Sequence, residues 1–248
     1  MVNWDASLAD TRPLRLAGTL LRLVESQEQV ATNQLVSSLE RQAVLEDMLE
    51  ATKPRLRKGS ETLHYLLATP FRYPPLKHGS RFGKRSEPSL FYGSQEARTV
   101  LAEAAYYRFV FWYGMAKPPA GKLDTQHTLF GAAYLTDQGL RLQGPPFVEY
   151  RDALSSPSDY RASQALGSKM RAAGIEAFEF LSARDPGGGI NAALFAPKAF
   201  AGKEPVSQEA WLCELAAERV RFRAAHGRDI HDFPLGVFQV GGKLPQPA

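Results

Sequence analysis

Glycine and proline decide much of what this chain can become. Its 20 Gly and 17 Pro are scattered through 248 residues and cut the sequence into short runs. Both residues destabilise helix interiors, so the composition argues against a simple helical bundle and for many loops. One stretch escapes, because no Gly or Pro falls between Gly18 and Pro54. There Leu16, Leu20, Leu23 and Val24, and later Leu45, Met48 and Leu49, recur at helical spacing. The spacing predicts helix over 14–52, as two helices or one long exposed one, since Glu25–Gln34 is polar. The segment reads as an appendage that packs on the main domain or on a partner.

Beyond it the punctuation predicts mixed structure. Tyr65–Gly83 is rich in Pro, Gly and aromatics and reads as strands and loops. Ser89–Gly93 reads as a short strand. Ser94 is placed as the N-cap of a helix running through Trp112. Residues 115–160 read as short helix or strand pieces between loops. Ser163–Ala173 reads as a helix closed by Gly174. Ile175–Leu181 and Ile190–Phe195 read as a hairpin around the DPGGG turn. Ser207–Ala225, with Cys213 inside it, reads as a helix, and Gly236–Val240 as a last strand. The fold class is therefore α+β.

Charge is unevenly placed. Residues 1–52 carry 4 basic and 8 acidic residues, 53–85 carry 9 and 1, and 86–248 carry 17 of each. The positive excess thus lies in one stretch, which calls for an anion such as nucleic acid, a membrane surface or the phosphates of a small ligand. A solvated basic face is the plain alternative. The lone Cys213 excludes an intramolecular disulfide framework and fits a reducing cytoplasm. No apolar run of about 18 residues is present to span a membrane. The segment MVNWDASLADTRP lacks the apolar core of a signal peptide. The five His show no HxxxH or HxH pair, which disfavours a metalloenzyme.

Three segments carry candidate chemistry. In Ser94–Trp112, Val100, Ala104, Tyr107 and Phe111 mark one helix face, and Glu103 lies on it. A carboxylate on an apolar face needs a partner, which is a structural salt bridge or a catalytic arrangement. HGSRFG (His78–Gly83) sets Arg81 between glycines that permit close ligand approach, and its guanidinium suits phosphate. Tyr92 ends the preceding strand, and Arg81, Tyr92 and Glu103 are each 11 residues apart. Tyr92 reads either as a core aromatic or as an aromatic face in the cleft. In LSARDPGGGINAALFAP (Leu181–Pro197), Ser182 and Asn191 stand at facing strand ends across a glycine turn. That turn enters a strand rather than a helix, so it is not a phosphate loop.

GSRFG, SLFYGSQEARTVLAE and LSARDPGGGINAALFAP, in that order, resemble the RES domain family. Arg81, Tyr92, Glu103, Ser182 and Asn191 fall on that family's arginine, tyrosine, glutamate, serine and asparagine positions, while Phe82 stands where many members have tryptophan. The resemblance covers roughly residues 64–200. It divides the chain into an N-terminal helical extension, 1–60, and a RES-type catalytic domain, 61–248. It implies a mixed-sheet core related to the ADP-ribosyltransferases. It further implies a cytoplasmic bacterial toxin that consumes NAD, with no metal, and is neutralised by an Xre-type antitoxin. Family members hydrolyse or phosphorolyse NAD, or transfer its ADP-ribose to a protein target.

The residues suit that reaction. Nicotinamide leaves a cationic pyridinium as a neutral molecule, so no general acid is needed, unlike the two-carboxylate arrangement of ordinary glycosidases. Glu103 is expected to stabilise the oxocarbenium-like transition state and Tyr92 to stack on the nicotinamide or orient the ribose. Arg81 is expected to clamp the pyrophosphate, with Arg72 as the next candidate, and Ser182 and Asn191 to hold the amide or a phosphate oxygen. No GxGxxG is present for hydride transfer on a Rossmann fold. The competing class is a nucleic-acid-binding module using residues 53–85 with Tyr65, Phe71, Tyr73 and Phe82 interleaved. A third reading, compatible with the first, makes the acidic 14–52 segment a docking surface for a partner.

Overall fold

The computed structural model describes residues 3–26 and 38–246. In chain order the elements are α1 (Trp4–Ala9), β1 (Leu14–Glu25), α2 (Leu39–Thr52), α3 (Tyr65–Arg72), β2 (Phe91–Ser94) and α4 (Ala97–Gly114). There follow β3 (Leu123–Arg141), α5 (Arg151–Leu154), α6 (Arg161–Ala172), β4 (Ala177–Leu181) and β5 (Ile190–Leu194). Last come β6 (Ser207–Ala216), β7 (Arg219–Ala224) and β8 (Ile230–Pro234). The class is α+β, built on one eight-stranded mixed sheet.

The pairings of five strands close on themselves. β1 pairs with β2 and β3, β2 with β5, β5 with β4, and β4 with β3. All five strands send side chains to one side of this ring: Leu16 and Leu20, Phe91, Phe130 and Tyr134, Ala177, and Ala192 with Leu194. They form a single buried cluster, joined by Leu66, Leu67 and Phe71 of α3. β3 is long enough to pair widely along both edges: the edge opposite β1 also carries β6, which β7 and β8 extend within the same sheet.

The opposite face of the sheet bears two further cores. One lies under α4, where Leu101, Phe109 and Trp112 meet Leu129, Trp211 and Phe222. The other lies under α6, where Leu166 and Met170 meet Phe82, Phe178 and Phe180. Residues directly opposite one another across strands share a face. Leu21, Ser94, Asn191 and Phe180 form such a row through β1, β2, β5 and β4. Leu21 packs on the first core and Phe180 belongs to the second, so Ser94 and Asn191 sit on the seam between them.

Several expectations are corrected. Residues 14–25 are a strand inside the ring, not part of a helical extension. Leu16 and Leu20 are also an even number of residues apart, which satisfies a strand's period of two, and both point inward with Gly18 between them. Leu20, Leu21, Leu23 and Val24 put apolar residues on both faces, which hides the alternation. The later half, Leu39–Thr52, is helical as expected, but α2 buries no residue. Most of the polar middle, 27–34, lies outside the described residues.

Ser207–Ala225 is the β6–β7 hairpin rather than a helix. Trp211, Cys213 and Leu215 alternate inward, while Ala217–Glu218, in a stretch that looks like helix, is the turn. Residues 115–160 contain a 19-residue strand, with short helical pieces as expected only after it, at Phe147–Tyr150 and Arg151–Leu154. Tyr65–Arg72 is a helix despite Pro70, started by His64, whose Nδ1 accepts the Leu66 amide at 3.3 Å. The last strand is β8, and Leu235–Phe238 is a short 3-10 turn. No helix among the described residues is long and apolar enough to cross a membrane.

Candidate active site

Glu103 lies on α4 at the border of its buried face. That face is Leu101, Ala105, Phe109 and Trp112, flanked by Ala102 and Tyr106. Tyr107 and Phe111, expected to be buried, are 47% and 53% exposed. The apolar stripe is therefore rotated from its expected position, and Glu103 is half-buried over the seam rather than in the core.

Two neutral donors hold the carboxylate. The Ser182 hydroxyl donates to Oε1 at 2.6 Å and the Asn191 amide donates to the same oxygen at 2.7 Å. Each donor is itself fixed. Ser182 Oγ accepts the backbone amides of Arg184 at 3.1 Å and Asp185 at 3.0 Å, which turns its proton towards Glu103. Asn191 Oδ1 accepts the Ser94 hydroxyl at 2.6 Å, which turns its NH2 towards Glu103. Ser94 thus serves the site from the end of β2 and does not cap α4, whose N-cap is Glu96. Among the described residues Oε2 has no partner, and no cation pairs with Glu103. The result is an oriented carboxylate with one oxygen fixed and the other free.

Arg81 and Tyr92 occupy one side of the seam. The Ser80–Gly83 turn closes on itself, with the Ser80 amide donating to Gly83 O at 2.8 Å. It needs Gly79 at φ +74°, a left-handed conformation costly for other residues. Arg81 Nη1 donates to Leu154 O at 3.2 Å and Ser156 O at 2.7 Å, and the guanidinium lies 4.6 Å from the Tyr160 ring centre. Tyr92 does not offer a free aromatic tip. Its hydroxyl accepts the Phe82 amide at 3.0 Å and meets Ser80 Oγ at 3.0 Å, and its ring packs edge-on against Phe180. Burial pushes that hydroxyl's pKa up to about 12, against the pull of Ser80, the Phe82 amide and Arg81. Tyr92 therefore braces the Arg81 turn. From the other side, α6 grips the same turn through Gln164 Nε2, which donates to His78 O at 2.8 Å and Ser80 O at 3.1 Å. At Gly167 a Cβ would stand 2.0 Å from Phe82 O, so only glycine allows this approach.

Arg72 is not brought to the cluster. Its guanidinium reaches Glu50 at 2.6 Å and Pro54 O at 2.5 Å, tying α3 to the end of α2. Residues not singled out in the sequence do join the site. Arg184, two positions after Ser182, is buried, stacks 3.5 Å from the centre of the Tyr106 ring and donates to Pro157 O at 2.5 Å. Tyr106, one turn from Glu103, donates its hydroxyl to Pro245 O at 2.6 Å, and burial raises its pKa to about 12 against the pull of Arg184. Tyr160 stands between Arg81 and Arg184. The signal for Arg184 was in the quoted motif, as the basic residue of Ser182–Ala183–Arg184.

The RES domain family model matches residues 55–216. The chain belongs to the RES domain family. The match spans Arg81, Tyr92, Glu103, Ser182 and Asn191, and begins after α2. Among solved structures, a chain from the crystal structure of the M. tuberculosis MbcT–MbcA toxin-antitoxin complex is similar to this RES domain protein. It is 10% identical, covers 93% of this chain and 90% of its own, and gives a TM-score of 0.44. Comparison with curated proteins finds no match.

A large cavity of this RES domain protein lies away from Glu103. It holds about 1150 Å³ between α2 (Glu46, Leu49, Lys53) and the outer strands (Leu212, Arg221, Arg223). It is a gap beneath a helix that buries no residue, with mixed charge on its walls, and it lacks convergent fixed donors. The Glu103 seam has those. Among the described residues no group of three or more His, Cys, Asp or Glu could hold a metal ion.

Proposed function

We propose that this RES domain protein cleaves the nicotinamide–ribose bond of NAD, and that it acts as a bacterial toxin held in check by an Xre-type antitoxin. The observation that carries the reading is the Glu103 carboxylate, fixed through one oxygen by Ser182 and Asn191 and free at the other. Membership of the family supports it.

The chemistry follows from that geometry. Heterolysis of the C1′–N1 bond sends the bonding electrons into the pyridinium ring, which departs as neutral nicotinamide. Positive charge then develops on the ribose. Oε2 of Glu103 accepts a hydrogen bond from the ribose 2′-hydroxyl, and the carboxylate's charge stabilises the oxocarbenium-like transition state. Because Ser182 and Asn191 are neutral donors, they orient Glu103 without cancelling that charge. An acceptor oxygen then bonds to C1′ and releases its proton to solvent. Arg81 holds the pyrophosphate, and Tyr92 acts through Arg81 as a positioning residue.

The acceptor is water, phosphate or a side chain of a protein target, and one experiment separates the three. Purified protein is incubated with NAD, with and without inorganic phosphate or a cell extract. Free ADP-ribose identifies hydrolysis, ADP-ribose 1″-phosphate identifies phosphorolysis, and a labelled protein band identifies transfer. Intact NAD in all three would overturn the reading.

A further inference from the structure

We propose that the protein carries a surface for single-stranded nucleic acid, centred on Arg57 and Arg171 and separate from the Glu103 seam. Arg57, between α2 and α3, donates from Nη1 to Ser89 O at 3.1 Å and stands 5.5 Å from the centre of the Phe71 ring. Arg171, in the last turn of α6, donates from Nη2 to Pro88 O at 3.0 Å and stands 4.4 Å from the centre of the Phe195 ring. The two thus grip neighbouring carbonyls of the chain that leads into β2. Neither forms a salt bridge among the described residues, and Arg171 Nε is buried with no hydrogen-bond partner. Burial lowers the pKa of each guanidinium; at Arg171 Glu87 opposes the shift and Arg57 adds to it. Glu87 is itself committed to neutral donors, accepting the Ser168 hydroxyl at 2.5 Å and the Lys84 amide at 2.8 Å. Two half-buried cations that repel each other and touch no carboxylate call for an anion from outside.

This surface lies at the far end of the strands that bear the catalytic cluster. Asn191 and Ser94 pair at one end of the β2–β5 ladder, and Leu194 and Phe91 pair at the other, next to Phe195. More charge surrounds it, because Lys77, Lys84 and Arg85 are exposed on the same 73–89 segment and none is bridged to a carboxylate. Of the four aromatics interleaved with the 53–85 charges, Phe71 and Phe82 are buried in the core, whereas Tyr65 and Tyr73 are exposed. Tyr73 stands beside the arginines. Its carbonyl accepts the Ser89 hydroxyl at 2.6 Å, and Ser89 O is the acceptor that fixes Arg57. A single strand presents both phosphates for the arginines and unstacked bases for the tyrosine ring. An acidic peptide brings the charge but no planar face to lie on Tyr73, and a duplex keeps its base faces stacked inside. The pairing of unbridged arginines with an exposed tyrosine therefore favours the single strand.

The test is fluorescence anisotropy with a labelled oligouridylate of about 12 nucleotides. It is run without NAD, so its result stands whether or not the protein consumes NAD. The wild type should bind, and its affinity should fall with salt with a logarithmic slope of about −1.4 or steeper, the value for two phosphate contacts. Arg57→Gln and Arg171→Gln should each weaken binding roughly 10-fold and make that slope shallower by about 0.7. Tyr73→Ala, at an exposed ring, covers the case in which an arginine variant does not fold. It should lose roughly 5–100-fold with the slope unchanged. Arg228→Gln removes the same charge from the exposed turn between β7 and β8 and should change affinity by less than about twofold. Absence of binding by the wild type, an equal loss in Arg228→Gln, or wild-type affinity in Tyr73→Ala overturns the proposal. So does displacement of the probe by polyglutamate or by a duplex of equal length as readily as by unlabelled oligouridylate, which would assign the surface to an acidic peptide or to duplex nucleic acid.

Discussion

Oε1 of Glu103 receives both of its protein hydrogen bonds from groups that are themselves locked, so the carboxylate is oriented before any substrate arrives. Replacing it by Gln keeps the shape and removes the charge. NAD turnover in Glu103→Gln should fall about 10²–10³-fold at unchanged melting temperature; turnover within a factor of a few of wild type would dismiss the role. Ser182→Ala removes one orienting donor and also frees the amides of Arg184 and Asp185. It should therefore cost both activity and, by about 1–3 kcal/mol, stability in denaturant titration.

A second residue sets an acid limit. Burial, with Arg108 nearby, lowers the pKa of His127 to about 4 from the ordinary 6.5, while Glu25 opposes the shift. The unfolded chain therefore binds a proton that the folded chain refuses between those values. Stability is fully present above pH 6.5 and is lost as pH falls towards 4, by roughly 2–3 kcal/mol. His127→Gln should flatten that part of a melting-temperature profile. An unchanged slope would show that His127 is not the group responsible.

At the scale of elements, the site is held by close approach of α6 and β2 to the Arg81 turn. Gly167→Ala forces a Cβ to within 2.0 Å of Phe82 O, so the turn must shift. Overpacking of this kind costs about 1–3 kcal/mol. The expected signature is weaker NAD binding together with a lower melting temperature, although residue 167 touches no substrate. A lowered melting temperature with unchanged KM would mean that the turn tolerates the shift.

The elements also show what could be read from the chain. Glu103, Ser182 and Asn191 were legible because short motifs fix their spacing, and the β4–β5 hairpin that aligns two of them follows its glycine turn. The role of Tyr92 was not legible. A tyrosine at a strand end looks alike whether its hydroxyl faces a cleft or a neighbouring amide, and only the fold of the 78–83 segment decides. β1 and β6 were misread because apolar residues four positions apart, such as Leu16 and Leu20 or Trp211 and Leu215, satisfy a strand and a helix alike. Arg72 was misplaced because positive charge alone does not reveal which residues are bound to internal partners, here Glu50 and Pro54.

For the whole molecule, the two parts of the acidic N-terminal segment should behave differently on removal. β1 supplies Leu16 and Leu20 to the ring and pairs along its length with β3. Deleting residues 1–26 should leave an insoluble or unfolded chain. Exchanging α2 for a flexible linker should move the melting temperature by only a few degrees, since α2 buries no residue. A folded, soluble protein lacking β1 would contradict the closed pairing. A collapse on losing α2 would show that the helix is an essential part of the core.

The closed ring also fixes an order of events in time. Its pairings join Leu21 to Ser94 and Ser94 to Asn191, so the first strand waits for the fifth. At a synthesis rate of about 5–20 residues per second, roughly 10–30 s separate the emergence of Leu21 from that of Asn191. The carboxylate's donors arrive at the end of that interval, because Ser182 and Asn191 are its only hydrogen-bond partners among the described residues. In a nascent chain Glu103 thus lacks both of these donors until about three-quarters of the chain exists. The interval belongs to the topology, and no change to a surface side chain would shorten it.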